Sequence, residues 1–117
     1  MTESQKNILS SLGVNFEEVL ERFVDNEELY LNCIIKFKGN DYFENFKNAF
    51  QAGNVTEAFE AIHALKGVVG NLGFKWLYEK SEEVTEILRA GSLDVSQELL
   101  FELQEEYDRV IENVNKL

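Results

Sequence analysis

The chain has 117 residues, with 22 acidic and 11 basic side chains, a formal charge of −11, one cysteine, one histidine and no proline. That acidity argues against nucleic acid, whose phosphates need clustered Lys and Arg, and against an anionic membrane surface. The length suits one domain with a single core, taken as 1–117 with the bundle core at about 26–117, and the lone Cys33 excludes an internal disulfide and any multi-cysteine metal site.

The elements follow in chain order. The N-terminus MTESQKN is polar and is no secretory signal, and no apolar run approaches the ~20 residues that span a bilayer. A cytoplasmic monomer is expected. Asn15, with Glu18 three residues on, resembles a capping box, and Phe16, Val19, Leu20 and Phe23 then form one apolar face. A second helix is expected near Asn26, carrying Leu31, Ile34, Ile35 and Phe37. Gly39-Asn40-Asp41 either breaks or bends it before Phe43, Phe46 and Phe50 continue the helical spacing. Gly53 is expected as a C-cap, and Asn54 with Glu57 starts the next helix. Gly73 and Gly91 mark two further boundaries. Leu77, Ser81, Val84 and Leu88 form one stripe. Asp94 with Gln97 is expected to cap the last helix, in which Leu100, Leu103, Tyr107, Val110, Val114 and Leu117 step by 3 and 4. Long amphipathic helices with short connections predict an all-α fold. The expected form is an antiparallel up-down four-helix bundle with one or two short N-terminal helices against its end.

One helix carries the chemistry. Val55, Ala58, Ile62, Leu65, Val69 and Leu72 step by 3, 4, 3, 4, 3 and complete a buried stripe without His63. At about 100° per residue His63 lies roughly 130° from the centre of that stripe and faces outward, with Lys66, Gly67 and Gly70 within about 60° of it. Each glycine costs a helix roughly 1 kcal/mol relative to alanine. An outward face does not need glycine for its own core, so both glycines read as clearance for something that approaches His63 closely.

Imidazole in its unprotonated form is a nucleophile available at neutral pH. It can take a phosphoryl group on a ring nitrogen, and Lys66 can offset the charge of the phosphoryl oxygens. Other chemistries fail on counting. Glu60 and His63 fit one Glu-x-x-His motif, but a di-iron bundle needs two. Cys33 sits in the apolar run YLNCIIKF and reads as a packed residue rather than a partner nucleophile. No Walker loop or dinucleotide-binding glycine pattern is present.

The run His63-Ala64-Leu65-Lys66-Gly67, followed by Gly70-Asn71-Leu72-Gly73, resembles the motif of the histidine-containing phosphotransfer (HPt) domain family. Phe23 to Tyr30 looks like the family's lead-in to its first long helix, and Ala52-Gly53-Asn54 like its turn before the histidine helix. The resemblance covers nearly the whole chain. It implies a phosphorelay intermediate, not an enzyme in its own right. His63 accepts a phosphoryl group from a receiver-domain aspartate and passes it to another receiver. Lys66 gives electrostatic support, and Gly67 gives docking clearance. It also implies response-regulator receiver domains and a hybrid histidine kinase as partners, and no cofactor on this chain, Mg²⁺ being expected only on the partner receiver. A polar residue on the next helix often holds the imidazole in this family, and Lys75 or Thr85 is the candidate here. Val68, Val69 and Phe74 depart from the family's pattern; Val69 fits the core stripe, while Val68 and Phe74 would tighten packing or narrow partner choice. The alternative is a degenerate HPt-like interaction module without phosphotransfer, and a helical metal or acid/base enzyme ranks last. The initial Met1 leans toward a stand-alone chain over a domain of a hybrid kinase.

Overall fold

The computed structural model describes residues 1–117 and contains helices only. Seven follow one another: α1 (Glu3–Ser11), α2 (Phe16–Arg22), α3 (Glu27–Lys38), α4 (Tyr42–Gln51), α5 (Val55–Leu72), α6 (Lys75–Arg89) and α7 (Gln97–Val114). None is long and apolar enough to cross a membrane. α5 packs against α4 on one side and α6 on the other, α6 packs on α7, and α3 touches both α5 and α7. The two short N-terminal helices lie on this group, α1 against α7 and α2 against α5.

The caps explain most boundaries. Asn15, Asn26 and Asn54 each accept a hydrogen bond from the backbone N–H three residues on, as their positions in the sequence suggest. Thr2 and Gln5 close a reciprocal capping box on α1. The link Gly39-Asn40-Asp41 breaks the chain between α3 and α4 rather than bending one helix. Asn40 fixes this break. Its amide donates to Phe37 O at 2.7 Å and to the Tyr107 hydroxyl at 3.2 Å, and its carbonyl oxygen accepts from Tyr42 N–H at 3.0 Å. Gly53 follows the C-cap Ala52 and turns the chain with φ +74°. Asp94 does not cap α7. Val95 is buried just ahead of the helix, Asp94 N–H is taken by the Ser92 hydroxyl, and Ser96 caps instead, accepting from Leu99 N–H at 3.1 Å.

The core is one cluster of 24 buried apolar residues. The predicted stripes supply it: Ile34 and Phe37 from α3, Phe43 and Phe46 from α4, Ala58, Ile62, Leu65, Val69 and Leu72 from α5, and Leu103, Val110 and Val114 from α7. Ile35, by contrast, points outward at 58% exposure, and Tyr30 takes its place inside α3's buried face. An aromatic group joins the elements, with Phe43 on Tyr107 at 4.4 Å between ring centres and Phe37 on Phe74 at 5.8 Å.

The C-terminal end of α5 is closed completely. A helix leaves its last four carbonyls without intrahelical partners. Here Gly73, left-handed at φ +85°, lets Phe74 N–H reach Val69 O and Gly73 N–H reach Gly70 O. The Arg22 guanidinium donates to Gly70 O at 3.2 Å and to Asn71 O at 2.8 Å. The Tyr30 hydroxyl donates to Leu72 O at 2.8 Å. Burial holds the Tyr30 phenol above its ordinary range, so it remains a protonated donor at neutral pH. Tyr30→Phe is therefore expected to leave a buried carbonyl without a partner and to lower stability by about 1–3 kcal/mol, read as a fall in Tm. An unchanged Tm would show that this bond does not hold the end of α5.

Candidate functional site

α5 carries the single histidine on the strip of its surface that no other helix covers. His63 is exposed, while its neighbours Ile62 and Leu65 are fully buried. No protein group hydrogen-bonds either ring nitrogen, so both are open to solvent or to a partner. What holds the ring is stacking: Phe59, one turn earlier, lies nearly parallel to the imidazole with ring centres 5.4 Å apart and planes 13° apart. The Arg89 guanidinium covers the same Phe59 ring at 5.1 Å and is ion-paired to Glu86 at 3.3 Å. Phe59 carries no polar signal, and reading the sequence for chemistry passes over it. The i, i+4 spacing to His63 was the available clue.

Neither expected polar partner reaches the imidazole. Gly70 sits against Tyr78, and Phe59 against Arg89, so α5 and α6 run antiparallel and His63 is level with Thr85. Thr85 has the right level and the wrong face. It is 0% exposed, and its hydroxyl donates to Ser81 O within its own helix at 2.6 Å. Lys75 lies ten residues nearer the start of α6, about 15 Å along the axis at 1.5 Å per residue. Its ammonium sits over the Trp76 ring at 5.1 Å. Neither residue orients the histidine.

The two glycines of the outward face differ in kind. A Cβ at Gly67 would meet no atom within 4 Å, so that position is open space and serves no packing inside the chain. A Cβ at Gly70 would lie 2.9 Å from the Tyr78 ring, so Gly70 accommodates a side chain of α6. The reading of Gly70 as clearance for an outside molecule is thus corrected, because Tyr78 already fills that space. Lys66 is half-buried and, unlike Lys47, Lys80, Arg89 and Arg109, has no carboxylate within ion-pair distance. Its charge is uncommitted. The two departures from the family pattern also separate. Phe74 is 0% exposed and packs on Phe37, so it belongs to the core. Val68 is half-buried and lines a groove between α5 and α3. Cys33 lines the same groove and packs against the core.

The arrangement offers an exposed imidazole with free nitrogens, an unpaired cation one turn away and an open approach beside both. It contains no group of three or more His, Cys, Asp and Glu side chains placed to hold a metal ion. Residues 38–113 match the Hpt domain family. No solved structure matches the chain. The match takes in α4 to α6, nearly all of α7 and the whole His63 face, and it covers well over half of the sequence. The chain therefore belongs to the Hpt domain family, whose members carry phosphoryl groups on histidine between histidine kinases and receiver domains in two-component signalling.

Proposed function

We propose that His63 is the phosphoacceptor of a phosphorelay, taking the phosphoryl group from a receiver-domain aspartate and passing it to a second receiver. The observation that carries this reading is the exposed, unbonded imidazole on a helix within the family match, beside a glycine that packs against nothing. One neutral ring nitrogen attacks the phosphorus of the aspartyl phosphate. An N–P bond forms, the P–O bond to the carboxylate breaks, and the aspartate leaves as carboxylate. The other ring nitrogen keeps or sheds its proton to solvent. Mg²⁺ belongs to the receiver on this reading, and this chain brings no cofactor. Lys66 offsets charge on the phosphoryl oxygens, Gly67 admits the partner, and Phe59 holds the imidazole plane.

On the same reading, residues 1–117 form one domain of a cytoplasmic monomer. Its bundle is antiparallel and up-down, with α3 and α4 together as the first helix and α5, α6 and α7 as the others. The short α4–α5 and α5–α6 links, two to three residues each, support that topology. The degenerate interaction module is the second reading. The uncommitted charge of Lys66 beside an intact acceptor speaks against it, since a retired carrier has no use for either.

Incubation with phosphorylated receiver domains is expected to label the protein with phosphate that is lost in acid and survives base. His63→Gln is expected to fold normally, because the side chain lies outside the core, and to take up none. Labelling of that variant would overturn the assignment. Lys66→Ala is expected to keep its Tm and to slow transfer partially, an effect that shrinks at high salt as surface electrostatics are screened. Transfer unchanged at low salt would remove Lys66 from the mechanism.

The glycines separate docking from packing. Gly67→Gln is expected to hold or raise Tm, by somewhat under ~1 kcal/mol, while transfer falls sharply. Gly70→Ala is expected to destabilise by ~1–3 kcal/mol less the helix gain of alanine, and to turn stabilising in a Tyr78→Ala background, where the ring is gone. Loss of stability at Gly67 with normal transfer per folded molecule would refute the clearance role.

A further inference from the structure

We infer that the groove between the α1–α2 turn and α6 is where this chain selects its partner, its occupant being a receiver domain that sets an apolar side chain against Trp76. The inference rests on the phosphorelay reading of His63 and adds a recognition surface to it.

The face around His63 is not symmetric. Toward the start of α5 the imidazole is backed by Phe59, which Arg89 covers. Toward the end of α5 the surface falls away at Gly67, where even a methyl group would touch nothing. A body that reaches His63 therefore finds free space on the Gly67 side. From there an open groove of about 1180 Å³ runs from Lys66 and Gly67 along α5 and α6 to Trp76. Its opposite wall comes from the turn joining α1 and α2, including Gly13, and from α2 itself, including Glu18.

Trp76 has the character of an anchor. Of the large exposed apolar side chains, which are Val24, Leu29, Ile35, Trp76 and Phe101, it alone lines a groove that reaches Gly67. It is 40% exposed, yet its position is set from two sides. Gly13, at φ +87°, lays the α1–α2 turn so close that a Cβ there would be 3.2 Å from the indole. The Lys75 ammonium lies over the ring at 5.1 Å. A rigid, half-open indole gives contact area at little entropic cost, the property that makes tryptophan an interface hot spot. Charge does not define the groove. Arg22, Lys66 and Lys75 line it together with Glu18, Glu79 and Glu82, so it is locally balanced in a chain of net charge −11. Such a surface discriminates by shape and apolar fit.

The α1–α2 wall also lies outside residues 38–113, the part of the chain that matches the family. The proposed phosphoryl site thus sits on the matched helices, while the groove leading from it is closed by residues outside the match. One continuous surface joins the two through Lys66 and Gly67.

Trp76 is the only tryptophan, so its fluorescence reports directly on the groove. Tryptophan-free receiver domains of the same genome are first ranked by their exchange of phosphoryl groups with His63. The best is then titrated into the full chain with selective tryptophan excitation. A blue shift of emission that saturates with binding is expected. By calorimetry, Trp76→Ala and the rim variant Glu18→Lys should weaken that receiver, Trp76→Ala by about tenfold or more. Phe101→Ala, 62% exposed on α7 and in neither groove, should change Kd by less than about twofold. Thermal melts of each variant separate lost binding from lost fold, and Glu18→Lys keeps the test valid if Trp76→Ala unfolds. Exchange with His63 but no change in emission, or Kd unmoved by both groove variants, overturns the recognition surface and leaves the phosphorelay reading standing. Exchange with no receiver overturns both.

Discussion

The structure depends on how the end of α5 is closed. A helix terminus exposes four carbonyls, and these must find donors wherever the surrounding surface is buried. Leu72, the last residue of α5, is 2% exposed, so solvent cannot serve its carbonyl. The backbone turn at Gly73 satisfies Val69 and Gly70, and Tyr30 and Arg22 supply the rest from α3 and α2. This one requirement ties α2 and α3 to α5. It also explains why a left-handed glycine stands at position 73, where a Cβ would lie 2.6 Å from a Val19 methyl. With its end pinned and its stripe from Ala58 to Leu72 buried, α5 has a fixed rotation about its axis. The direction in which His63 points follows from that rotation. Nothing has to hold the imidazole outward.

Much of this was legible in the sequence because helices repeat. The stripe of α5 reads off the 3, 4 spacing of Val55, Ala58, Ile62, Leu65, Val69 and Leu72, and all are buried except Val55 at the helix start, which is half-buried. The same spacing found Leu77, Ser81, Val84 and Leu88 on α6. Asparagine caps were legible for a similar reason, being local and set by a single side chain. Failures came where the deciding contact is long-range. Thr85 and Lys75 were plausible on polarity alone. Only the register of α6 on α5 shows that one points into the core and the other lies too far along the axis. Asp94 with Gln97 offered a cap pattern, but Val95 is buried between that pair and Ser96 caps the helix. Ile35 was read as part of the buried face but points outward, and Tyr30, which serves a carbonyl of α5, is buried.

Glycine shows the limit most plainly. Gly67 and Gly70 lie on the same face, one turn apart, and no local rule separates them. One faces empty space and the other faces the Tyr78 ring 2.9 Å from its missing Cβ. A helix carrying two such residues gives up roughly 2 kcal/mol of intrinsic propensity. Part of that is returned as packing at Gly70. At Gly67 nothing in the chain returns it, and on the proposed reading this asymmetry marks the partner's side of the helix.

The contacts around His63 also bear on what a carrier must avoid. A phosphoryl group on histidine has to leave as readily as it arrives. Hydrogen bonds from a fixed pocket that stabilised the phosphorylated state more than the transition state would slow the onward step. His63 is held by a ring stack that touches the imidazole plane and leaves both nitrogens free. Lys66 is a single, solvent-screened charge on a flexible stem, an attraction too weak to trap the group. On the proposed reading the stronger electrostatics belong to the receiver and its Mg²⁺, which come and go with the partner. On that reading the bare face around His63 leaves the phosphoryl group free to move in either direction.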